Sequence, residues 1–188
     1  MGYAIVTPEE FEPLAKASGW TRPDMLIVDE RQLAEVPDYG DPAPPIVVLS
    51  GRRGVTDADP RVVGAVRRPA GLHDLYRLAQ QVLEDTPRAT PRVATDLPAV
   101  CLRDGRKWKG ALLSISENGG LLRSDEPLDL GSSLELQFHL PERGTIAVSA
   151  EVGYQLLPHL GVVFNGTSPD VRTSISNYIN ASLGEKEG

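Results

Sequence analysis

The sequence predicts two fold classes in succession: a small α/β unit over residues 1–85, then a six-stranded β-barrel with a C-terminal helix over residues 86–188. Three observations carry this. In the first half, Asp24–Asp29, Pro45–Ser50 and Val62–Val66 contain uninterrupted apolar runs separated by polar loops or helical patterns. Such runs mark strands buried on both faces of a parallel sheet. From Val93 onward the helical period vanishes, and short strand-like segments recur with turn residues between them. After Thr167 a helical pattern returns.

Taken in order, Tyr3–Val6 predicts a short buried strand. Thr7-Pro8-Glu9-Glu10 supplies an N-cap, a proline at the first helical position and acids in the first turn. Phe11, Leu14, Ala15 and Ala17 form the apolar face of that helix, and Gly19 stops it. The runs ending at Asp29, Ser50 and Val66 give three strands. Leu72, Leu75, Leu78, Ala79 and Val82 share one face of a second helix. Thr86-Pro87 ends it and opens a linker.

Leu97–Leu102 and Lys107–Ser114 flank Arg103-Asp104-Gly105, and Asp-Gly between two strand-like runs is a hairpin signal. Gly120–Ser124, Ser133–Leu140, Ile146–Leu156 and Leu160–Phe164 complete six strands. In Ser133–Leu140, Leu134, Leu136 and Phe138 alternate with Glu135, Gln137 and His139, so one face is dry and the other wet. Six short strands at this spacing favour a small closed barrel. Val171, Ile175, Tyr178 and Ile179 form a helix face suited to covering a barrel opening.

Composition narrows the function. The formal charge is −7, from 19 basic and 26 acidic side chains. Residues 1–85 carry 9 basic and 14 acidic groups, and residues 86–188 carry 10 and 12. This is not the footprint of a DNA or RNA binder, although a small anion needs only a local cluster. The single cysteine, Cys101, excludes an internal disulfide and a Cys-rich zinc site. No apolar run approaches the ~20 residues of a membrane span, and no signal peptide opens the chain. The expectation is a cytoplasmic protein without membrane insertion. His73, His139 and His159 lack metal-ligand spacing. No Ser/His/Asp or paired-carboxylate arrangement stands out, so neither an enzyme nor a cofactor is expected.

The most informative stretch is Arg88–Gly120. Arg88-Ala-Thr-Pro-Arg92 places two arginines four apart, with Pro87 and Pro91 keeping them off a helix. Downstream lies Ser114-Ile-Ser116-Glu-Asn-Gly119-Gly120. Two forked guanidiniums and a small-residue turn suit a planar, phosphate-bearing ligand. The pair resembles the PilZ family, whose members bind cyclic di-GMP through an R-x-x-x-R segment and an (Asp/Asn)-x-Ser-x-x-Gly turn. The resemblance covers roughly residues 86–182 and includes Leu160–Phe164 as the family's closing strand. It implies a PilZ-type barrel that binds cyclic di-GMP through Arg88, Arg92, Ser114, Ser116 and Gly119. Ser114 stands where the family has Asp or Asn. A hydroxyl cannot accept two guanine N–H groups as a carboxylate does.

The first half looks like a truncated flavodoxin-like unit, a degenerate response-regulator receiver. Asp29 falls where the phosphoacceptor ends its strand, Ser50 where a Ser or Thr ends the next, and Arg68-Pro69 where the family has Lys-Pro. The acidic pair that would hold Mg²⁺ has no counterpart, because Val6 is followed by Thr7 and Pro8. Asp29 therefore reads as a strand-end or N-cap acid, and the unit as a pseudo-receiver.

Each motif has a plainer reading. Arg88 and Arg92 can be linker arginines pairing with Asp85 or Asp96. Ser116–Gly120 is also ordinary turn chemistry. Trp108 reads as core or rim packing rather than part of a ligand pair with Lys109. Arg123 and Arg143 read as scattered surface charge, and Cys101 as inert core. Two functions follow. The leading one is a receptor that changes its domain arrangement on binding cyclic di-GMP and signals to a protein partner. The alternative is an adaptor that binds no nucleotide and works through protein contacts in motility or envelope control.

Overall fold

A computed structural model describes residues 3–56, 59–83, 91–141 and 143–184. Helix α1 (Pro8–Ser18) starts where the sequence places it. The Thr7 backbone N–H donates to Glu10 Oε2 (2.9 Å) and the Glu10 N–H donates to Thr7 Oγ1 (3.4 Å), a reciprocal capping box. Gly19, at φ 72°, closes the other end. The expected apolar face packs little: Ala15 is buried, whereas Leu14 is 42% exposed. Tyr3–Val6 is not a strand, and Ile5 is 61% exposed. Four apolar residues resemble a strand locally, but none of the described strands includes them.

Strands β1 (Leu26–Asp29), β2 (Ile46–Ser50) and β3 (Val62–Arg67) pair in parallel in that order. Burial on both faces explains their unbroken apolar runs. On one face Ile46, Val48, Val62 and Ala65 meet Leu33 and Val36, from and just beyond the 3₁₀ helix Glu30–Glu35. On the other, Val47 and Val66 meet Leu78 of helix α2 (Leu72–Leu83). Leu78 is fully buried, which is worth roughly 1.5–3 kcal/mol.

Six antiparallel strands follow: β4 (Val93–Arg103), β5 (Arg106–Ser116), β6 (Gly119–Ser124), β7 (Ser133–Leu140), β8 (Gly144–Leu156) and β9 (His159–Asn165). The ladders run β4–β5–β6–β9–β8–β7 and return to β4, so the barrel is closed. The β4–β5 hairpin turns on Asp104 (φ 51°) and Gly105 (φ 76°), as the Asp-Gly signal requires. Leu134, Leu136 and Phe138 point into the core, while Glu135 and His139 face out. Helix α3 (Pro169–Gly184) inserts Ile175 and Ile179, 0% and 2% exposed, into the same core. Cys101 is fully buried there, and burial pushes its thiol up to about 11.

The two parts share one sheet. β3 pairs antiparallel with the end of β8, matching Gly64 to Leu156, Ala65 to Gln155 and Val66 to Tyr154. Tyr154 packs with Val47, Val66 and Leu78, and its hydroxyl accepts from Gln81 Nε2 at 2.9 Å. Its ring fills the space above Gly161, where a Cβ would stand 2.1 Å from Cζ. Gly161→Ala therefore overpacks this junction and should cost about 1–3 kcal/mol. Urea unfolding reads the loss, and a change within ~0.5 kcal/mol would show that the ring has room to move.

Candidate functional site

Of the predicted ligand residues, Arg92, Ser114, Ser116 and Gly119 lie on or beside the β4–β5–β6 ladder near one end of the barrel. Val93 stands opposite Ile115 in the β4–β5 ladder, and both are buried. Side chains alternate along a strand, so Arg92, Ser114 and Ser116 fall on the outer face. Arg92 and Ser114 are half-buried. Arg92 has no hydrogen-bond or ion-pair partner among the described residues. Arg88 lies outside the described residues.

The turn is built from the ladder outward. Ser116 pairs with Gly119, and its hydroxyl donates to the Gly119 carbonyl at 3.1 Å across Glu117-Asn118. Gly119 has no room for a side chain: a Cβ would sit 2.1 Å from the Val162 carbonyl oxygen. The Phe164 N–H donates to the Asn118 carbonyl at 2.9 Å, tying the turn to β9. From the helix, the Ser176 hydroxyl donates to the Glu117 carboxylate, and the Thr95 and Tyr178 hydroxyls meet at 3.1 Å. Ser176 thus steadies the turn, and the sequence held no signal for it. Its partner is 59 residues away, and a serine on a helix face has no pattern of its own.

The plainer readings divide. Asp96 pairs with Arg123 at 3.4 Å, leaving Arg92 without it. Trp108 packs against the core and its Nε1–H donates to Ser124 Oγ at 2.9 Å, so it is a packing residue.

A second cluster sits where the parallel strands end. Asp29 ends β1 and caps the 3₁₀ helix, accepting from the Arg31 N–H at 3.0 Å. The Arg31 guanidinium donates to both of its oxygens, and Arg68 Nη1 donates to Oδ2 at 2.6 Å. Arg68 Nη2 reaches Glu30 at 2.7 Å. The side-chain and backbone hydrogen bonds from Arg31 hold the Asp29 carboxyl well below the usual range, with Arg68 adding its charge. A depressed folded-state value means that this contribution to stability is complete above about pH 3.9. It is lost as pH falls through the lowered value. Ser50 is buried and donates to the Gly51 carbonyl at 3.1 Å.

The PilZ domain description matches residues 86–181, half of the chain. The chain belongs to the PilZ family. No curated protein matches it. Among solved structures, the PilZ chain is similar to the Bacillus subtilis inhibitor of motility MotI/DgrA, at 17% identity and a TM-score of 0.47 over 54% of this chain and 53% of that one. The PilZ domain of YcgR from Escherichia coli, solved with c-di-GMP, is 18% identical with a TM-score of 0.43, covering 54% and 95%. MrkH from K. pneumonia is 18% identical with a TM-score of 0.45, covering 55% and 52%. The chain thus spans about half the length of the motility inhibitor and of MrkH.

Both oxygens of Asp29 are occupied by guanidiniums, which makes the carboxylate a poor nucleophile. Acetyl phosphate with Mg²⁺ should leave the protein unmodified by intact mass. A stable aspartyl phosphate on Asp29 would overturn this.

Proposed function

We propose that this PilZ protein is a non-catalytic receptor for cyclic di-GMP that signals by rearranging its two parts against a protein partner. The observation that carries the reading is the guanidinium of Arg92, without a partner among the described residues, on the same outer face as Ser114, Ser116 and the Gly119 turn. Arg88 and Arg92 clamp phosphate and stack on guanine, while Ser114, Ser116 and the turn line the other side. The ligand orders the linker that carries the arginines, and the junction with the first sheet responds. We place the boundary between the parts near residue 86. Fragment 86–188 should therefore fold alone by circular dichroism, and an unfolded fragment beside a folded full chain would remove the boundary.

We read residues 1–85 as a pseudo-receiver. Three parallel strands ending in Asp29, Ser50 and Arg67, with the next residue, Arg68, bonded to Asp29, support this. The arginine holds the acid as a structural ion pair. Ser114 favours a second reading, an adaptor without a nucleotide, because the amide or carboxylate of the family pattern is missing.

Calorimetric titration with cyclic di-GMP at one fixed salt concentration separates the two. A charged hydrogen bond is worth about 1.5–3 kcal/mol, so Arg88→Ala and Arg92→Ala should each weaken binding roughly tenfold or more without unfolding the chain. Ser114→Asp restores two acceptors for guanine N–H groups and should tighten binding. If wild type and Ser114→Asp both fail to bind, the adaptor reading replaces the receptor.

A further inference from the structure

An open cleft of about 530 Å³ lies between the first sheet and the barrel. Its floor is the barrel's outer surface at Glu151, Gly153 and Val163, and its opposite wall carries Arg67, Arg68 and Arg77. The floor continues the candidate site. Val163 is paired with Gly119 on one side and with Glu151 on the other. Adjacent strands lie about 4.8 Å apart, so the cleft begins one strand beyond the glycine turn. Gly153 lacks a side chain and leaves that surface low.

Of the charged groups on the walls, Arg68 alone has an ion pair among the described residues. Arg68 is committed to Asp29 and Glu30. Arg67, Arg77, Asp74 and Glu151 have neither an ion pair nor a side-chain hydrogen bond among the described residues, although all four line the cleft. Two guanidiniums and two carboxylates facing one cavity, unpaired among the described residues, suit a ligand that carries both anionic oxygens and paired N–H donors. Phosphate takes the guanidiniums in their forked geometry. A carboxylate accepts two N–H groups from a guanine edge. Ser114 cannot supply that second function, and Glu151, three strands away around the same outer face, can.

The geometry points to this cleft as an extension of the nucleotide site, in which Glu151 reads a guanine and Arg67 and Arg77 hold a phosphate of the same cyclic dinucleotide. The inference rests on the receptor reading above and adds the first sheet as a wall of the site. Occupancy then bridges α2 and β3 to the barrel, which couples ligand to domain arrangement directly.

Calorimetry on the full chain tests it with cyclic di-GMP and cyclic di-AMP, on wild type, Arg92→Ala, the double variant Arg67→Ala/Arg77→Ala, and Glu151→Gln. None of the three cleft residues makes a described hydrogen bond through its side chain, so the variants should keep the wild-type unfolding midpoint. The double variant should lose tenfold or more in affinity for cyclic di-GMP. Glu151→Gln should narrow the preference for the guanine over the adenine dinucleotide. If wild type binds, Arg92→Ala binds more weakly and both cleft variants match wild type, the cleft is no part of the site and the receptor reading survives. If wild type binds neither dinucleotide, the receptor reading fails and the cleft assignment falls with it.

Discussion

Every strand that leaves a sheet edge bare exposes a row of N–H and C=O groups, and β8 meets this constraint twice along its length. Up to Glu151 its neighbour is β7, with Glu151 itself opposite Ser133. Beyond that point β7 has ended, and β3 takes the vacant edge from Tyr154 to Leu156. On its other edge β8 is paired with β9 from Ser149 to Leu156. Backbone groups that would otherwise need another partner are satisfied by the N-terminal sheet. The relative placement of the two parts, and the cleft between them, depend on this exchange of neighbours.

The same exchange explains the glycines and the tyrosine at the junction. Gly64 admits the Gln155 carbonyl, since a Cβ there would approach it to 2.5 Å. Gly161 admits the Tyr154 ring. Tyr154 is a barrel-strand residue that belongs to the hydrophobic core of the other part. Its burial removes apolar ring surface from water while the Gln81 amide satisfies the hydroxyl. The Val55 N–H bond to Gln155 Oε1, at 2.9 Å, adds a polar tie alongside it.

Local chemistry was legible in the sequence wherever the physics is local. The Thr7 cap, the Asp104-Gly105 hairpin, the alternation in β7 and the inward face of α3 all follow from short-range rules. Tyr3–Val6 failed because an apolar tetrapeptide specifies a strand only when an edge is available to receive it. The β3–β8 pairing was invisible for a related reason: nothing in Val62–Val66 names a partner about ninety residues away. The site divides along the same line. Ser116 and Gly119 stand out in the sequence because their turn is a contiguous motif, whereas Ser176 meets that turn through topology alone. Arg88 lies outside the described residues.

The buried cysteine has a practical consequence. Cys101 is the only thiol in the chain, and it lies at 0% exposure with its ionisation pushed up to about 11. Near neutral pH almost none of it is thiolate, the form that reacts with maleimides and other thiol reagents. The natural sequence is therefore already a silent background for site-directed labelling. A cysteine placed on α2 and another on the outer surface of β9 would be the positions a pair of dyes or spin labels takes up. The separation of the two parts becomes a measurable distance without first stripping the protein of its own sulfur chemistry.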